Sequence, residues 1–400
     1  MRSVKPKACL PIYRRGRLLV ASASHLLAVV DQHAVFAACS IAIVGWLARA
    51  ATVWLHPDPH HYIHTDTLPY IDNGFAILRH GSLVHLEYPI GLSFLLIPLL
   101  AAGANIWWLG HVVQPAVGAL SGVLVFLYAK RVGYQRAGFI AGIGCALHPT
   151  MINSASQILT EEWAIVLVLI GVILIQRRTW QQDALAGVVL GMACVVRSPC
   201  LAFAAAIPIW WITTEGRNGF KRSFFFVAGV VIPVTCASIF LTKSENRIIL
   251  LTPQASEMKM FAPVRGGFIT LTPAERKDRG DYFAFAKRQP RQFLRERVNS
   301  FLSFASPWPF GDDRSLLRKL SLTFSDGIVL LLAMFATVRA WRDCRFRPLL
   351  LFPWMALALC GFYTLFYSVP RYREPTLPLL IILIAVVMVP RQSATHNGDG

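Results

Sequence analysis

The sequence predicts an all-α polytopic membrane protein, from its composition, its apolar segments and the placement of its charges. Of 400 residues, 55% are hydrophobic and only 15% are charged, whereas soluble chains carry about one quarter charged residues. Lys and Arg number 39 against 21 Asp and Glu, which gives a net charge of +18. The basic residues lie in short segments between apolar stretches, as is typical of the cytoplasmic loops of membrane proteins. This placement argues against a nucleic-acid partner.

Eleven apolar segments stand out along the chain. They are residues 33–55, 89–103, 110–129, 137–152, 161–176, 184–198, 199–214, 223–242, 322–340, 348–367 and 375–390. Because a helix needs roughly 20 apolar residues to cross a bilayer, with about 17 to 25 tolerated, the pattern predicts a bundle of about ten or eleven transmembrane helices.

The basic segments orient these helices, because clusters of Lys and Arg mark the cytoplasmic side of a membrane. On this rule residues 56–88 and 243–321 form two outer loops. The other predicted parts are a basic, interfacial N-terminus at 1–32, a transmembrane core at 33–242 that includes the first outer loop, C-terminal transmembrane helices at 322–391 and a cytoplasmic tail at 392–400.

Segment 89–103 decides whether this orientation is consistent. If it crosses the membrane, the basic residues Lys130, Arg131 and Arg136 lie outside, against the rule. If it is re-entrant, they are cytoplasmic. The segment is short and contains Pro98, so we expect it to be re-entrant; the alternative is that this basic loop breaks the rule.

The first outer loop contains a candidate catalytic acid, Asp66. Tyr70, Gly74 and Gly81 follow it at helical spacing, so they share one face of a short helix. An Asp held in partly dry surroundings at the bilayer surface is suited to act as a general base on an acceptor hydroxyl. The alternative is that Asp66 only caps the helix. Spacing alone leaves both interpretations open.

Four stretches that occur in order along the chain carry a resemblance to a known family. They are Asp66, Tyr70 and Gly81 followed by Glu87-Tyr88-Pro89-Ile90-Gly91, LHPTMINSASQILTEEW at 147–163, AGVVLGMACVVRSP at 186–199 and VPRYREPTLPLL at 369–380. Together they resemble the membrane glycosyltransferases of the GT-C fold, nearest to the protein O-mannosyltransferase and lipid A aminoarabinose transferase group (glycosyltransferase family 39-like) and its bacterial relatives. The resemblance extends over most of residues 33–390 and implies a GT-C-like bundle.

The resemblance also implies roles for residues of the first loop. In that family the first-loop Asp is the catalytic acidic residue, which implies this role for Asp66. Thr67 stands where many relatives have a second acidic residue. Tyr70 and Glu87, from the same loop, are candidate substrate-binding residues.

Three further residues are candidates for binding the phosphate of a polyprenyl-phosphate-linked sugar donor: Arg371, Tyr372 and Arg197. Both arginines are expected at the outer membrane boundary, against the positive-inside trend. Arg makes bidentate contacts with phosphate. The alternative is that they extend to the lipid headgroups, as Arg does at helix ends.

Glu161 and Glu162 open a predicted helix at its outer end, where acids are favourable electrostatically. If they face Asp66, they are candidates for binding a sugar hydroxyl or a divalent metal. Six histidines crowd the first outer loop, and His and carboxylate side chains are suitable metal ligands. Their spacing matches no metal site that we can name, so solvated histidines are the preferred interpretation. The sequence leaves the cofactor unassigned.

The predicted function is the transfer of a hexosyl or pentosyl group from a polyprenyl-phosphate carrier to a hydroxyl of a lipid, polysaccharide or protein acceptor. The reaction is expected at the outer face of a bacterial plasma membrane, because the loops are compact and the outer loops lack cysteine. One alternative is a transporter or flippase of lipid-linked or polyanionic substrates, which would place ionisable residues within the spans. Another is a non-catalytic envelope-assembly protein. The concentration of acids in the outer loops favours the transferase over the transporter.

Overall fold

The computed structural model describes residues 33–55, 66–85, 88–245, 248–249, 261–264, 267–270, 272, 275, 282–308, 316–366 and 368–389. The predicted basic N-terminus at 1–32 and the predicted tail at 392–400 lie outside these residues. Within the described chain the architecture is helical, with a short two-stranded antiparallel sheet.

The helices of the first part of the chain are α1 (Ala34–Trp54), α2 (Thr67–His80), α3 (Ile90–Ala101), α4 (Ile106–Arg131), α5 (Gln135–Ala146), α6 (Pro149–Ala155), α7 (Thr160–Leu174), α8 (Trp180–Val196), α9 (Leu201–Glu215) and α10 (Arg217–Glu245). The second part contains β1 (Phe261–Val264), β2 (Gly267–Thr270), α11 (Tyr282–Arg288), α12 (Pro290–Ala305), α13 (Leu316–Arg342), α14 (Leu351–Leu365) and α15 (Leu377–Met388). Turns of 3₁₀-helix lie at Ile175–Arg177, Ser198–Cys200, Cys344–Leu350 and Pro370–Thr376.

Within the described chain, five helices are long and apolar enough to cross a membrane. They are Ala34–Trp54, Ile106–Arg131, Arg217–Ser244, Lys319–Arg342 and Cys344–Leu365. Helices α6 and α7 form a bent pair that adds a sixth if it is counted as one span. The prediction of an all-α polytopic membrane protein is therefore confirmed. The number of ten or eleven spans stays a prediction, because α3 and α8 are apolar but shorter helices.

Helix α3 covers most of the segment expected to be re-entrant. It has 12 residues and is therefore about 18 Å long at a rise of 1.5 Å per residue, against a hydrocarbon thickness of about 30 Å. The chain then turns at Gly103, which has φ of +85°, and the side chain of Asn105 accepts a hydrogen bond from the Trp108 amide at 2.9 Å. A helix of this length is too short to cross the hydrocarbon core untilted; that the segment is re-entrant stays a prediction.

Small residues bring the central helices into close contact. A Cβ atom placed on Gly187 of α8 would lie 2.0 Å from the carbonyl oxygen of Phe226 in α10, and one placed on Gly229 would lie 2.1 Å from that of Ala184. Close backbone approach of this kind is how helices associate in a membrane, where apolar burial gives little driving force.

Helices α6 and α7 meet at an angle of 117°. Pro149 opens α6, where a proline is tolerated because the first helical N–H groups have no intrahelical partner. The hydroxyl of Thr67, at the start of α2, donates to the carbonyl oxygen of Ile158 in the bend at 3.1 Å. The bend thus places the N-terminus of α7 beside the N-terminus of α2.

The region predicted as the second outer loop, 243–321, contains regular structure. Strands β1 and β2 form a hairpin in which Phe261 pairs with Thr270, and helices α11 and α12 follow it. Helix α13 begins at Leu316, before the segment predicted from residue 322. Helix α12 docks on the end of α14, because the Arg297 guanidinium donates to the carbonyl oxygen of Phe366 at 2.8 Å.

Candidate functional site

Asp66 occupies the N-cap position of α2, but its carboxylate makes no capping hydrogen bond to that described helix. The capping interpretation is therefore not the arrangement that the structure shows. Thr67 is fully buried, and its bond to Ile158 fixes the start of α2 next to α7. Asp66 is thereby held beside Glu161, the second residue of α7.

Arg371, in the 3₁₀ turn before α15, extends between Asp66 and Glu161. Its Nη2 atom lies 3.9 Å from Asp66 Oδ2 and its Nε atom lies 3.6 Å from Glu161 Oε1. These are ion-pair distances but too long for hydrogen bonds, and within the described chain Nε has no hydrogen-bond partner. The side chains of Arg371 and Asp66 are 34% and 29% exposed. This pair therefore lies at the open side of the site.

Arg197 contacts Glu161 from the other side. Its Nη1 atom lies 3.1 Å from Glu161 Oε1 and donates to the Thr160 hydroxyl at 3.1 Å, while Nη2 donates to the Tyr363 hydroxyl at 3.4 Å. Arg197 is buried, and Glu161 therefore lies between two arginines.

Both arginines are protonated, as arginine is in proteins generally, and the charge of Glu161 favours this state. Burial alone would lower the pKa of Arg197 and of Arg371, but the neighbouring carboxylate outweighs this effect and holds both pKa values above their usual range. Both side chains are therefore cationic at every physiological pH, which suits them to an anionic ligand.

Gly91 explains how Arg197 comes to lie at this position. A Cβ atom at residue 91 would lie 2.3 Å from the backbone nitrogen of Val196, so only glycine lets the start of α3 pass the end of α8. Arg197 directly follows that helix in extended conformation. The close contact therefore fixes the backbone from which the Arg197 side chain projects.

Tyr372 forms an aromatic wall beside the two arginines. Its ring stacks on Tyr363 with the centroids 4.6 Å apart, and the guanidinium carbons of Arg197 and Arg371 lie 5.1 Å and 5.7 Å from its centroid. Phe304 of α12 stacks on the other side of this pair, 5.9 Å from Tyr363. Cation–π contacts of this kind orient guanidinium groups without occupying their N–H donors.

Tyr70 lies on the inner face of α2 and is buried. Its pKa is raised far above the usual range, first by burial and then by the negative charges of Asp66 and Glu161. Its hydroxyl therefore stays protonated and can serve as a hydrogen-bond donor. The ring packs edge-on against Tyr88, with 5.6 Å between the centroids.

Glu162, the next residue of α7, lies near Arg49 inside the bundle. It is fully buried, and within the described chain neither of its carboxylate oxygens has a hydrogen-bond partner. Arg49 of α1, also fully buried, is its nearest source of positive charge. The Arg49 guanidinium donates to the carbonyl oxygen of Ala146 at 2.6 Å and so satisfies the end of α5.

Two predicted features fall partly outside the described chain. Glu87, a predicted substrate-binding residue, lies outside the described residues, as do the histidines of 56–65. His85 is described and pairs with Asp72 at 3.3 Å. Among the described residues, no group of three or more His, Cys, Asp or Glu side chains is placed to hold a metal ion.

The structure also assembles a buried polar cluster that the sequence analysis missed. Asp326, within α13, accepts hydrogen bonds from Arg373 Nε at 2.9 Å and from the Thr150 hydroxyl at 2.5 Å. Glu374 accepts a hydrogen bond from the Ser154 hydroxyl at 2.5 Å. All five side chains are buried, and they tie the Arg371 turn to α6 and α13.

One member of this cluster, Asp326, could have been recognised from the sequence as a candidate for pairing or function. Asp326 is an acid inside the apolar segment 322–340, and ionisable residues within membrane spans are generally paired or functional. Its partner cannot be read from the sequence, because Arg373 lies 47 positions away.

Comparison with known proteins supports the resemblance. The family described as dolichyl-phosphate-mannose-protein mannosyltransferase matches residues 89–242. Comparison with curated proteins and with solved structures gives no significant match. The matched residues include Glu161, Glu162 and Arg197, whereas Asp66 and Arg371 lie outside them. With the helical bundle, this match supports a membrane glycosyltransferase of the GT-C type.

Proposed function

We propose that the chain transfers a sugar from a polyprenyl-phosphate carrier to an acceptor hydroxyl at the outer face of a bacterial plasma membrane. The observation that carries this proposal is the partly exposed pair of Asp66 and Arg371, with 3.9 Å between Oδ2 and Nη2. A transferase of this kind needs a base for the acceptor and a cation for the leaving phosphate, and this pair offers both. The family match supplies the reaction class.

In the proposed reaction, Asp66 accepts the proton of the acceptor hydroxyl. The hydroxyl oxygen forms a bond to the anomeric carbon, and the bond from that carbon to the phosphate oxygen breaks. The electron pair leaves with the polyprenyl phosphate, whose charge Arg371 stabilises. Because the Arg371 distances exceed hydrogen-bond length, its N–H groups remain available to phosphate oxygens.

For Arg197 we propose a part other than the direct phosphate binding that the sequence predicts. Its hydrogen bonds to Thr160 and Tyr363 and its ion pair with Glu161 engage the guanidinium before any ligand arrives. We propose that Arg197 orients Glu161 and raises the local positive potential, and that Arg371 makes the direct phosphate contact.

Among the remaining candidates, Tyr70 is the best placed to bind substrate. Its neutral hydroxyl lies beside Asp66 and Glu161 and can donate to a sugar oxygen. Glu162 points to Arg49 inside the bundle instead, so we propose a structural role for it. The Arg371 guanidinium lies between Asp66 and Glu161, and no group of three or more metal-ligating side chains is found among the described residues, so no step of the proposed reaction uses a metal.

A transporter or flippase would use ionisable residues within the spans that change partners as the substrate moves. The described spans do hold such residues, among them Asp326 and Arg49. Asp326 is held by Arg373 and Thr150, and Arg49 is held by backbone carbonyl groups. These fixed partners favour a structural role, so the transferase is the better supported function.

The test compares two Asp→Asn variants from the same region of the chain. Purified wild type, Asp66→Asn and Asp72→Asn are incubated with radiolabelled polyprenyl-phosphate sugars, with and without EDTA, and sugar release or transfer is counted. The side chain of Asp72 is 51% exposed and pairs with the partly exposed imidazole of His85, which makes Asp72→Asn a matched control.

We expect Asp66→Asn to lower turnover by about 10²- to 10⁴-fold, the usual contribution of a general base. Asp72→Asn should stay within about twofold of wild type, as surface substitutions usually do. Near-normal turnover by Asp66→Asn would remove this residue from catalysis. Loss of turnover in EDTA, restored by added Mg²⁺ or Mn²⁺, would assign a metal to the reaction.

A further inference from the structure

Helix α12 has the reverse of the polarity expected for a helix on the surface of a water-soluble domain. Its buried side chains are Glu296, Ser300, Ser303 and Phe304. Its exposed apolar side chains are Leu294, Val298, Phe301 and Leu302, which are 63%, 46%, 48% and 39% exposed. An ordinary amphipathic helix buries its apolar face and exposes its polar one. The surface that α12 presents is therefore suited to an apolar medium.

The polar face of α12 makes hydrogen bonds to the end of α14. Ser300 Oγ donates to the carbonyl oxygen of Phe366 at 2.9 Å, and Arg297 donates to the same oxygen and to that of Leu365. The last carbonyl groups of a helix have no partner within the helix, and these bonds satisfy the end of α14. Ser300 is therefore buried where it caps a transmembrane helix, while Ser303 donates to the carbonyl oxygen of Val264 in β1 at 3.4 Å.

The contact with α14 also sets the depth of α12 in the membrane. The apolar helix Cys344–Leu365 has 22 residues, which corresponds to about 33 Å, close to the thickness of the hydrocarbon core. Its end at residue 365 therefore lies near the membrane surface, and α12 lies at the same level. An apolar face at this level meets acyl chains just below the headgroups.

The first turns of the exposed strip are basic. Arg291 and Arg295 are exposed and stand four residues apart, so they share the face that continues into Leu294 and Val298. A helix with basic residues beside an exposed apolar strip is typical of segments that lie in a membrane interface and attract anionic lipid.

We propose that α12 is an interfacial helix that inserts Leu294, Val298 and Phe301 among acyl chains and binds anionic phospholipid headgroups through Arg291 and Arg295. Its C-terminal end adjoins the candidate site, because Phe304 stacks on Tyr363. The lipid-bound helix therefore forms one border of the site at the membrane surface.

The test places a photo-crosslinking residue on the helix in the full-length protein. Phe301 is replaced by benzoylphenylalanine. The protein is reconstituted in nanodiscs of phosphatidylcholine in which about 30% of the lipid is anionic phosphatidylglycerol. After irradiation, mass spectrometry counts lipid adducts and their headgroups. The same residue at Gln292, on the polar beginning of the helix, is the matched control.

We expect lipid adducts at residue 301 and at least about threefold fewer at residue 292. Among the adducts, phosphatidylglycerol should be enriched about threefold over its mole fraction in the nanodisc. The double variant Arg291→Gln with Arg295→Gln should bring this enrichment close to one, because each basic residue near an anionic surface contributes about fivefold to association. Crosslinks from residue 301 to a second copy of the chain, or no lipid adducts, would overturn the proposal. Equal headgroup preference in both forms would overturn the role of the arginines. The readout does not depend on transferase activity.

Discussion

Arg371 and Arg373 stand two residues apart in one turn, yet they differ in exposure and in hydrogen bonding. Arg371 is 34% exposed and lies 3.6 Å and 3.9 Å from its two carboxylate partners. Arg373 is 3% exposed and donates to Asp326 and to the carbonyl oxygens of Phe304, Ser306 and Pro307. In a 3₁₀-helix successive side chains are about 120° apart, so the turn directs one arginine to the open side and the other into the bundle.

The difference separates a group that can bind a ligand from one that is already saturated. The guanidinium of Arg373 is enclosed by an acid and three carbonyl oxygens, which leaves a ligand little to compete for. The guanidinium of Arg371 is cationic but holds no hydrogen bond to its acidic partners. The saturated arginine fixes the turn, and the turn presents the other arginine to Asp66.

The largest expected effect comes from breaking the buried pair. Arg373→Met leaves the carboxylate of Asp326 buried opposite an apolar side chain, and we expect the free energy of unfolding to fall by about 3–5 kcal/mol. The matched change Arg371→Met should cost less than about 1 kcal/mol, because that pair is partly exposed. Chemical unfolding of the purified proteins in detergent measures both.

A double variant separates charge burial from packing. Arg373→Met combined with Asp326→Leu removes both charges at once, and such replacements are often neutral or stabilising. We therefore expect the double variant to be more stable than Arg373→Met alone. Equal stability of Arg371→Met and Arg373→Met, or no recovery in the double variant, would contradict the division between the two arginines.

Glu374 gives the turn a pH dependence. The pKa of its carboxyl is raised, first by burial and then by the charge of Glu161. A carboxyl with a higher pKa in the folded than in the unfolded protein keeps its proton longer when folded, so its effect on stability becomes less favourable as the pH rises above the unfolded value of about 4.3. Between about pH 4.3 and the pKa of this carboxyl in the folded protein, we expect the free energy of unfolding of wild type to fall by up to about 1.4 kcal/mol per pH unit because of this group.

Glu374→Gln should abolish this contribution, because its amide is neutral at every pH. The measurement is chemical unfolding at pH 5, 6 and 7 for wild type, Glu374→Gln and Asp72→Asn, the last removing an exposed carboxylate. The slope should flatten only in Glu374→Gln. The same slope in all three proteins would show that Glu374 titrates normally.

The smallest expected effect is a gain in binding. Asp66 competes with a phosphate for the charge of Arg371, and it also repels the anion. Asp66→Asn should therefore bind polyprenyl phosphate up to about fivefold more tightly than wild type, the equivalent of about 1 kcal/mol for a partly exposed pair. Equilibrium binding of the radiolabelled lipid measures this change. Weaker binding would mean that Asp66 holds Arg371 in place instead of competing for it.

Much of the fold could be predicted from the sequence, because apolar length and charge placement are local properties. The eleven apolar segments all overlap helices. The structure brings Asp66, Glu161, Arg197 and Arg371 together, and their functional roles stay predictions. The different surroundings of Arg371 and Arg373 could not be predicted, because heptad or α-helical spacing does not describe which side chains share a face in a 3₁₀ turn. Glu162 was considered together with Glu161, but consecutive residues of a helix point about 100° apart, and the described ion pairs with Arg197 and Arg371 involve Glu161.

The second outer loop shows a different limit of sequence analysis. The charge placement predicted only an outer loop here, whereas α12 buries polar residues and exposes apolar residues. The helical period is present in the sequence, but which face is buried depends on the end of α14, where Phe366 lies 66 residues after Ser300. Long-range capping of this kind leaves no local pattern.

The most direct test of the account is the affinity of Arg371→Met for polyprenyl phosphate, measured beside wild type and the Arg373→Met with Asp326→Leu double variant. If Arg371 is the phosphate ligand, its loss should weaken binding about ten- to a hundredfold, the effect of removing hydrogen bonds from a charged group. The double variant, where folded, should bind within a few-fold of wild type, as its charges lie away from the open side. Equal affinity of Arg371→Met and wild type would contradict the central claim.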